Sequence, residues 1–377
     1  MRDPAIALLR ELVAIDSVNP VLVPGARGEG DAAAAVAAHM RKLGLEVHVQ
    51  DAAPGRPNVI GILDGSESGR SLMLCGHLDT VGVEGMTSPF DPIEREGRLY
   101  GRGSQDMKAG VAAMIDAARL AQARGFRKGR IIIAAVVDEE YASIGADALV
   151  TAWRADGAVV TEPTDLHIGV GHKGFAWATI ETRGRAAHGS RPDDGRDAIL
   201  RMGRVLARLE ALDRTLQARV PHPLVGTASL HASIIDGGQE LSSYPDRCRL
   251  QLERRTIPGE PSDILDREID GLLAGLRAAD PEFVASSTLT FSRPPYEVPP
   301  GHDLPAALRA AAAALAIDAE MRGMSFWTDA AVLGSANIPT VLFGPGGAGL
   351  HSIEEYVRIA DVLACRDALA SLALTWP

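Results

Sequence analysis

The chain has 377 residues, 46% hydrophobic and 23% charged, with 49 acidic against 38 basic residues and a net charge of −11. That length exceeds what a single core usually supports, so two domains are expected. The acidic balance argues against a nucleic-acid partner or an anionic membrane surface. The strongly apolar run at residues 131–137 is far too short to span a bilayer.

Three cysteines, Cys75, Cys248 and Cys365, are odd in number and far apart, with no C-x-x-C pair. They read as small buried hydrophobes in a reducing compartment. The N-terminal stretch MRDPAIALLRELVAIDS is amphipathic and interrupted by Arg10 and Glu11, which is unlike a signal peptide. The expectation is a soluble, cytoplasmic protein.

In chain order, residues 3–14 and 31–43 carry helical spacing, with Asp3 and Pro4 a cap and first-turn pair. The Pro- and Gly-rich DSVNPVLVPGARGEG between them is loop. Strands are expected at 45–50, 58–64 and 71–77, then a helix at 108–124 and a strand at 129–140. A helix at 145–154 and strands at 157–162 and 166–172 follow. Strands alternating with helices imply an α/β fold with a mixed central sheet.

The middle of the chain changes character. Strand 175–183, helix 197–212, strands 227–236 and 246–257, helix 262–279 and strand 282–292 give the order β-α-β-β-α-β. That order is ferredoxin-like, a complete small domain. After the Pro-rich SRPPYEVPPGHD come helices at 304–317 and 328–336, a strand at 339–346 and a helix at 357–374. The simplest organisation is one α/β domain, 1–173 with 293–377, interrupted by a ferredoxin-like domain at 174–292.

Chemistry-bearing residues gather where strands end. SLMLCGHLDT closes an apolar strand with His77 and Asp79 one residue apart, at the mouth where open α/β sheets bind ligands. A carboxylate beside a His can orient its ring and leave the other nitrogen free for a metal. GRGSQDMKAG places Asp106 in a Gly-rich turn before a helix, where helix capping is the plain alternative. VVDEEYASIGA stacks Asp138, Glu139 and Glu140 at the end of the most apolar strand, and three adjacent acids resist burial unless a cation offsets them. VVTEPT adds Glu162, and GPGGAGLHSIEEYV adds His351 beyond a Gly-rich loop. Two His with several carboxylates and no Cys suit zinc or another first-row dication. Two metals sharing one carboxylate would lie roughly 3.5–4 Å apart, the spacing that clamps an attacking oxygen. Side chains of adjacent strand residues diverge, so one of Glu139 and Glu140 is left free to act as a base.

GHLDTV, GRGSQDMKAG, VVDEEYASIGA, TEPT and GPGGAGLHSIEEYV together resemble the dinuclear zinc metallopeptidases and amidohydrolases, the family of acetylornithine deacetylase, succinyl-diaminopimelate desuccinylase, aminoacylase and glutamate carboxypeptidase. The likeness runs nearly end to end. It implies a zinc-exopeptidase-like catalytic domain, with the inserted domain a lid and dimerisation module. It implies two Zn2+ per chain, with Co2+ or Mn2+ as substitutes: one held by His77, Asp106 and Glu162, the other by Asp106, Glu140 and His351. It further implies that Asp79 orients His77, that the peptide bond after Asp106 is cis, and that Glu139 is the general acid/base for a metal-bridging water. RGRAAHGSRPDDGRDAI resembles the lid segment, making His188 the oxyanion donor, where a turn His is the alternative. LERRTIPGE matches the stretch whose Arg, here Arg255, grips a substrate carboxylate, against a strand-face salt bridge. Glu at 162 points to the deacetylase and desuccinylase branches.

One position departs from the pattern: GGQELSSYPD has Ser242 where relatives commonly carry Asn. The implied activity is hydrolysis of the amide bond of an N-acyl amino acid by a homodimer. Dipeptidase or carboxypeptidase, desuccinylase, carbamoylase and xenobiotic-amide hydrolase are the alternatives within the class, and a non-catalytic ligand-binding relative is the alternative outside it. His172, His231, Thr328 and Glu355 receive no role.

Overall fold

A computed structural model describes residues 3–376, so Met1, Arg2 and Pro377 of the expected catalytic domain lie outside the described residues. The chain divides into two units. The first runs to Val170 and resumes at Val298–Arg322 and from Thr328; the second is Gly171–Glu297 with Gly323–Trp327.

The first unit begins with α1 (Pro4–Val13), which Asp3 caps by accepting from the Ala5 N–H at 2.9 Å. Its apolar stripe, Ile6, Leu8, Leu9, Leu12 and Val13, is buried. Then come α2 (Gly30–Lys42), β1 (Glu46–Ala53), β2 (Arg56–Asp64) and β3 (Glu67–His77), followed by a hairpin of β4 (Ile93–Arg95) and β5 (Arg98–Tyr100). Next are α3 (Lys108–Ala123), β6 (Lys128–Val136), α4 (Ile144–Ala152), β7 (Gly157–Val160) and β8 (Ile168–His172).

The second unit contributes β9 (Gly174–Arg183), α5 (Ala198–Gln217), β10 (Ser229–Gly237), β11 (Arg247–Thr256), α6 (Ile264–Ala279), β12 (Val284–Arg293) and β13 (Tyr296–Glu297). Its sheet runs β10-β11-β9-β12 with every pairing antiparallel, which is the ferredoxin-like order. Alternation along β9 and β11 sends Ile180, Leu250 and Leu252 into a core with Met202, Val205 and Leu209 of α5 and Ile269 and Leu273 of α6. The chain closes with α7 (Leu304–Ala313), β14 (Met321–Met324), α8 (Ala330–Ser335), β15 (Thr340–Leu342), β16 (Gly347–Ala348), β17 (Tyr356–Arg358) and α9 (Ile359–Thr375).

The main sheet of the first unit is mixed. Its order β1-β2-β6-β3-β7-β15-β8 has a parallel centre, β6-β3-β7-β15, between antiparallel flanks. Central parallel strands are covered on both faces, which is why residues 72–77 and 131–136 are uniformly buried. Register aligns their C-terminal ends: His77 pairs with Val136, Cys75 with Val160, and Val160 with Leu342. The loops after all four strands therefore leave from one rim. Gly110 lets α3 sit close beneath that rim, since a Cβ there would fall 2.1 Å from the Thr161 carbonyl oxygen.

Some elements differ from the sequence expectation. β6 stops at Val136, because Asp138 turns left-handed at φ 68° and carries Glu139 and Glu140 into a turn. The helix expected to reach 317 ends at Ala313, with Ala316 left-handed at φ 59°. The small sheet β16-β17-β5-β4 went unforeseen, being built from strands of two or three residues amid Gly and Pro. Among the described residues no helix is long and apolar enough to cross a membrane.

Candidate metal centre

Asp106 sits between two imidazoles. Its Oδ1 is 3.1 Å from His77 Nε2 and its Oδ2 is 3.4 Å from His351 Nε2. The three residues reach this point by different routes. His77 ends β3; Asp106 ends the Gly-rich turn before α3, with a cis bond to Met107; His351 occupies a left-handed position at φ 56° in the loop before β17. Glu140 Oε2 lies 3.1 Å from His351 Nε2, and Glu162 Oε1 lies 3.9 Å from His77 Nε2. Glu139 Oε2 is 4.0 Å from the same nitrogen. Ligand-capable atoms of His77, Glu139 and Glu162 fall within 4.8 Å of one another, as do those of His77, Asp106 and Glu140.

The other nitrogen of His77 is spoken for. Nδ1 lies 2.9 Å from the Asp79 carbonyl and 3.5 Å from its Oδ1, so Nε2 faces the carboxylates. β3 ends at His77, so Asp79 stands two residues beyond the strand with its carboxylate still beside the His77 ring. Asp79 is fully buried, and its two oxygens accept from the backbone N–H groups of Glu139 and Glu140, each at 3.1 Å. The residue that orients the imidazole thus also anchors the acidic turn. Of the three adjacent acids, Asp138 does not join the cluster; it pairs with Arg56 at 2.7 Å.

Glu355, given no role from sequence, is a principal support. Its buried carboxylate accepts from the backbone N–H groups of Gly103 (3.0 Å), Gln105 (2.8 Å) and Asp106 (3.1 Å), and pairs with Arg102 at 2.7 Å. Arg102 Nη2 also donates to the Ser352 carbonyl at 2.9 Å, tying the Asp106 turn to the His351 loop. An acid 249 residues from its target leaves no local signal in the sequence.

Electrostatics follow from crowding acids in a buried space. Burial, then the neighbouring Glu162 charge, raises the Glu139 carboxyl well above its ordinary range. Burial raises Glu162 as well, and burial with Asp106 pushes Glu140 up to about 7. Burial works against ionised Asp106, but hydrogen bonds from His351 and His77 hold it below the usual carboxylate range. His351, bonded to Asp106 and Glu140, is raised to about 10. Glu140 Oε1 and Glu162 Oε1 are buried without a hydrogen-bond partner. Four acids, two imidazoles and orphaned oxygens converging on one space fit a bound divalent cation, which would supply the missing partner and offset the repulsion.

The second unit carries the other two expected residues. His188 lies on an exposed turn where Nδ1 accepts from the Ser190 backbone N–H at 3.2 Å, so the proton of the neutral ring is on Nε2. The Ser242 carbonyl accepts from the Gly189 N–H at 2.7 Å, so this departure from the family pattern touches the His188 turn through its backbone. Arg255, on β11, pairs with Glu253 at 2.7 Å and lies over the Phe175 ring.

Residues 73–375 match the sequence model of peptidase family M20/M25/M40. The chain is 32% identical to an acetylornithine deacetylase of Myxococcus xanthus, covering 97% of this chain and 95% of the relative. It is 30% identical to an N-formyl-4-amino-5-aminomethyl-2-methylpyrimidine deformylase of Bacillus subtilis, over 94% and 91%. A tripeptidase of Staphylococcus aureus shares the fold, with a TM-score of 0.83, 20% identity and coverage of 99% and 97%.

Proposed function

Since the chain belongs to peptidase family M20/M25/M40 and is a hydrolase of amide bonds, we propose that it is a deacylase. Its substrate would be an N-acyl amino acid, cleaved in the manner of an acetylornithine deacetylase. Support comes from the 32% identical deacetylase relative and from a site that offers a buried base beside a two-imidazole acidic cluster. His77, Asp106 and Glu162 would hold one zinc ion, and Asp106, Glu140 and His351 a second. When bound, such ions polarise a carbonyl and make water acidic enough to deprotonate near neutrality.

The chain's own residues then divide the proton work. Glu139 accepts a proton from the attacking water and delivers it to the departing nitrogen, a task that suits a carboxyl lifted by burial. Asp79 keeps His77 in the tautomer that presents Nε2. His188 donates from Nε2 to the tetrahedral oxyanion, and Arg255 receives the substrate carboxylate. The protein works as a homodimer in the cytoplasm, a reading supported by the exposed edge strand β10 of the second unit's sheet and by three free, buried cysteines.

The single observation that carries this reading is Asp106 placed between His77 and His351. Its test pairs two variants. Glu139→Gln is expected to lose turnover by about 1,000-fold while retaining metal. His351→Ala is expected to lose bound zinc as well, measured by metal analysis after dialysis. Normal turnover of N-acetyl amino acids by the Glu139 variant would remove the mechanism. A panel of N-acetyl, N-formyl, N-succinyl and N-carbamoyl substrates and dipeptides reads the acyl preference, with N-acetyl amino acids expected to lead.

A further inference from the structure

A buried chain of charges runs behind the acidic turn. Arg56, at the start of β2, is clamped between Glu29 and Asp138: Nε donates to Glu29 Oε2 at 3.0 Å, Nη2 to Glu29 Oε1, and Nη1 lies 2.7 Å from Asp138 Oδ1. Asn19 continues it, its Nδ2 donating to Asp138 Oδ1 at 3.0 Å and to Asp79 Oδ2 at 2.8 Å. Glu29, Asn19, Asp79 and Asp138 are at most 1% exposed and Arg56 is 8% exposed.

Two local rules are broken to build this arrangement. Glu29 heads α2 but spends its carboxylate on Arg56 instead of capping the helix. Ser143 heads α4 in a left-handed conformation with no side-chain cap, and Asp138 Oδ2 instead accepts from the Ile144 N–H at 3.5 Å. The Asp138 carbonyl accepts from the N–H groups of Ala142 and Ser143, at 3.1 and 2.6 Å. Asn58 brackets the same loop, accepting from the Val137 N–H at 3.2 Å and donating to the Gly145 carbonyl at 2.8 Å. Two acids and a guanidinium buried together contribute little net stability compared with apolar packing, so stability alone does not account for them. Neither the Asn19 amide nor a guanidinium passes protons at neutral pH, so the chain is no proton relay.

We infer that Arg56 and Asn19 are positioning residues: by fixing Asp138 and Asp79, they set the turn that aims Glu139 and Glu140. Asp138 sets where the turn begins and Asp79 holds its two following N–H groups. Asn19 keeps those two acids in register, and Arg56 balances the charge that would otherwise drive them apart. The inference rests on the deacylase reading for what Glu139 does, but not for the metal affinity of the cluster.

The test uses the full-length protein with Arg56→Met, Arg56→Lys and Asn19→Ala, and Arg130→Met as a control that loses only an exposed pair with Asp64. Readouts are zinc affinity against a competing chelator, kcat and KM at saturating zinc, and apparent Tm. Arg56→Met and Asn19→Ala are each expected to lower kcat about 30-fold, with KM within about threefold, and to weaken zinc binding about tenfold. Arg56→Lys reaches one acid but not both and should fall between. Folded variants whose kcat at saturating zinc stays within threefold of the parent, whatever their Tm, overturn the inference and leave a purely structural role. Should Arg56→Met fail to fold, Asn19→Ala decides, because it removes no charge. Should the parent protein hydrolyse no amide, the deacylase reading fails, and zinc affinity then decides: unchanged affinity in Asn19→Ala overturns the positioning role.

Discussion

His172 is a buried histidine outside the metal cluster. Its Nδ1–H donates to the Lys173 carbonyl at 2.8 Å, while Nε2 has no hydrogen-bond partner and the ring lies against Tyr296 and Trp327. Burial pushes its pKa down to about 4 from an ordinary 6.5. Between those values the unfolded chain binds the proton and the folded one does not, so folding stability is present above pH 6.5 and is lost as pH falls toward 4. The loss is at most about 3 kcal/mol. Apparent Tm of the metal-free protein is expected to fall between pH 7 and pH 5, and by less in His172→Gln; equal slopes for the two would discount the histidine. His77, Asp79, Glu139, Glu140 and Glu162 stood out as candidates because they lie where apolar runs stop, and Asp106 and His351 because they lie in or just beyond Gly-rich turns. Glu355, Asn19 and Arg56 were not, since their partners lie up to 253 residues away in sequence.

At the scale of the element, β10 is the informative strand. Among the described residues it pairs only with β11, and residues 231–237 are exposed, including Ile234 at 59% and Ile235 at 51%. An apolar edge strand of this length invites another strand unless something covers it. A second copy of the same edge, as in the homodimer proposed above, would continue the four-stranded sheet. Ile235→Lys is accordingly expected to weaken self-association by at least about tenfold in sedimentation experiments, with zinc binding unchanged. A parent protein that is monomeric at micromolar concentration would remove the basis for this prediction. The helices and long strands were readable from their periods because burial on one face imposes that period. The strands of the small β16-β17-β5-β4 sheet are too short to show one.

For the whole molecule, the decisive quantity is charge held inside. Asp106, Glu139, Glu140 and Glu162 share one largely buried region of a chain whose net charge, these four included, is −11. A cation bound only by the folded state stabilises it by about 3 kcal/mol at a hundredfold excess over Kd. Removing metal with a chelator should therefore lower the apparent Tm of the first unit's transition, and zinc should restore it. In His351→Ala the zinc response should shrink; a response identical to the parent's would place the binding elsewhere.

The amino-acid sequence on its own determined the types of the helices and long strands, the mixed α/β class and the positions of the candidate ligands. Burial period and the halting of apolar strands at acids and imidazoles are local properties. Only the tertiary structure decided which way each neighbouring acid turns. Asp138 turns left-handed toward Arg56 while Glu139 and Glu140 turn toward the imidazoles. That choice depends on buried charges and amides brought together from distant segments, and a carboxylate's partner is set by folding rather than by its neighbours along the chain.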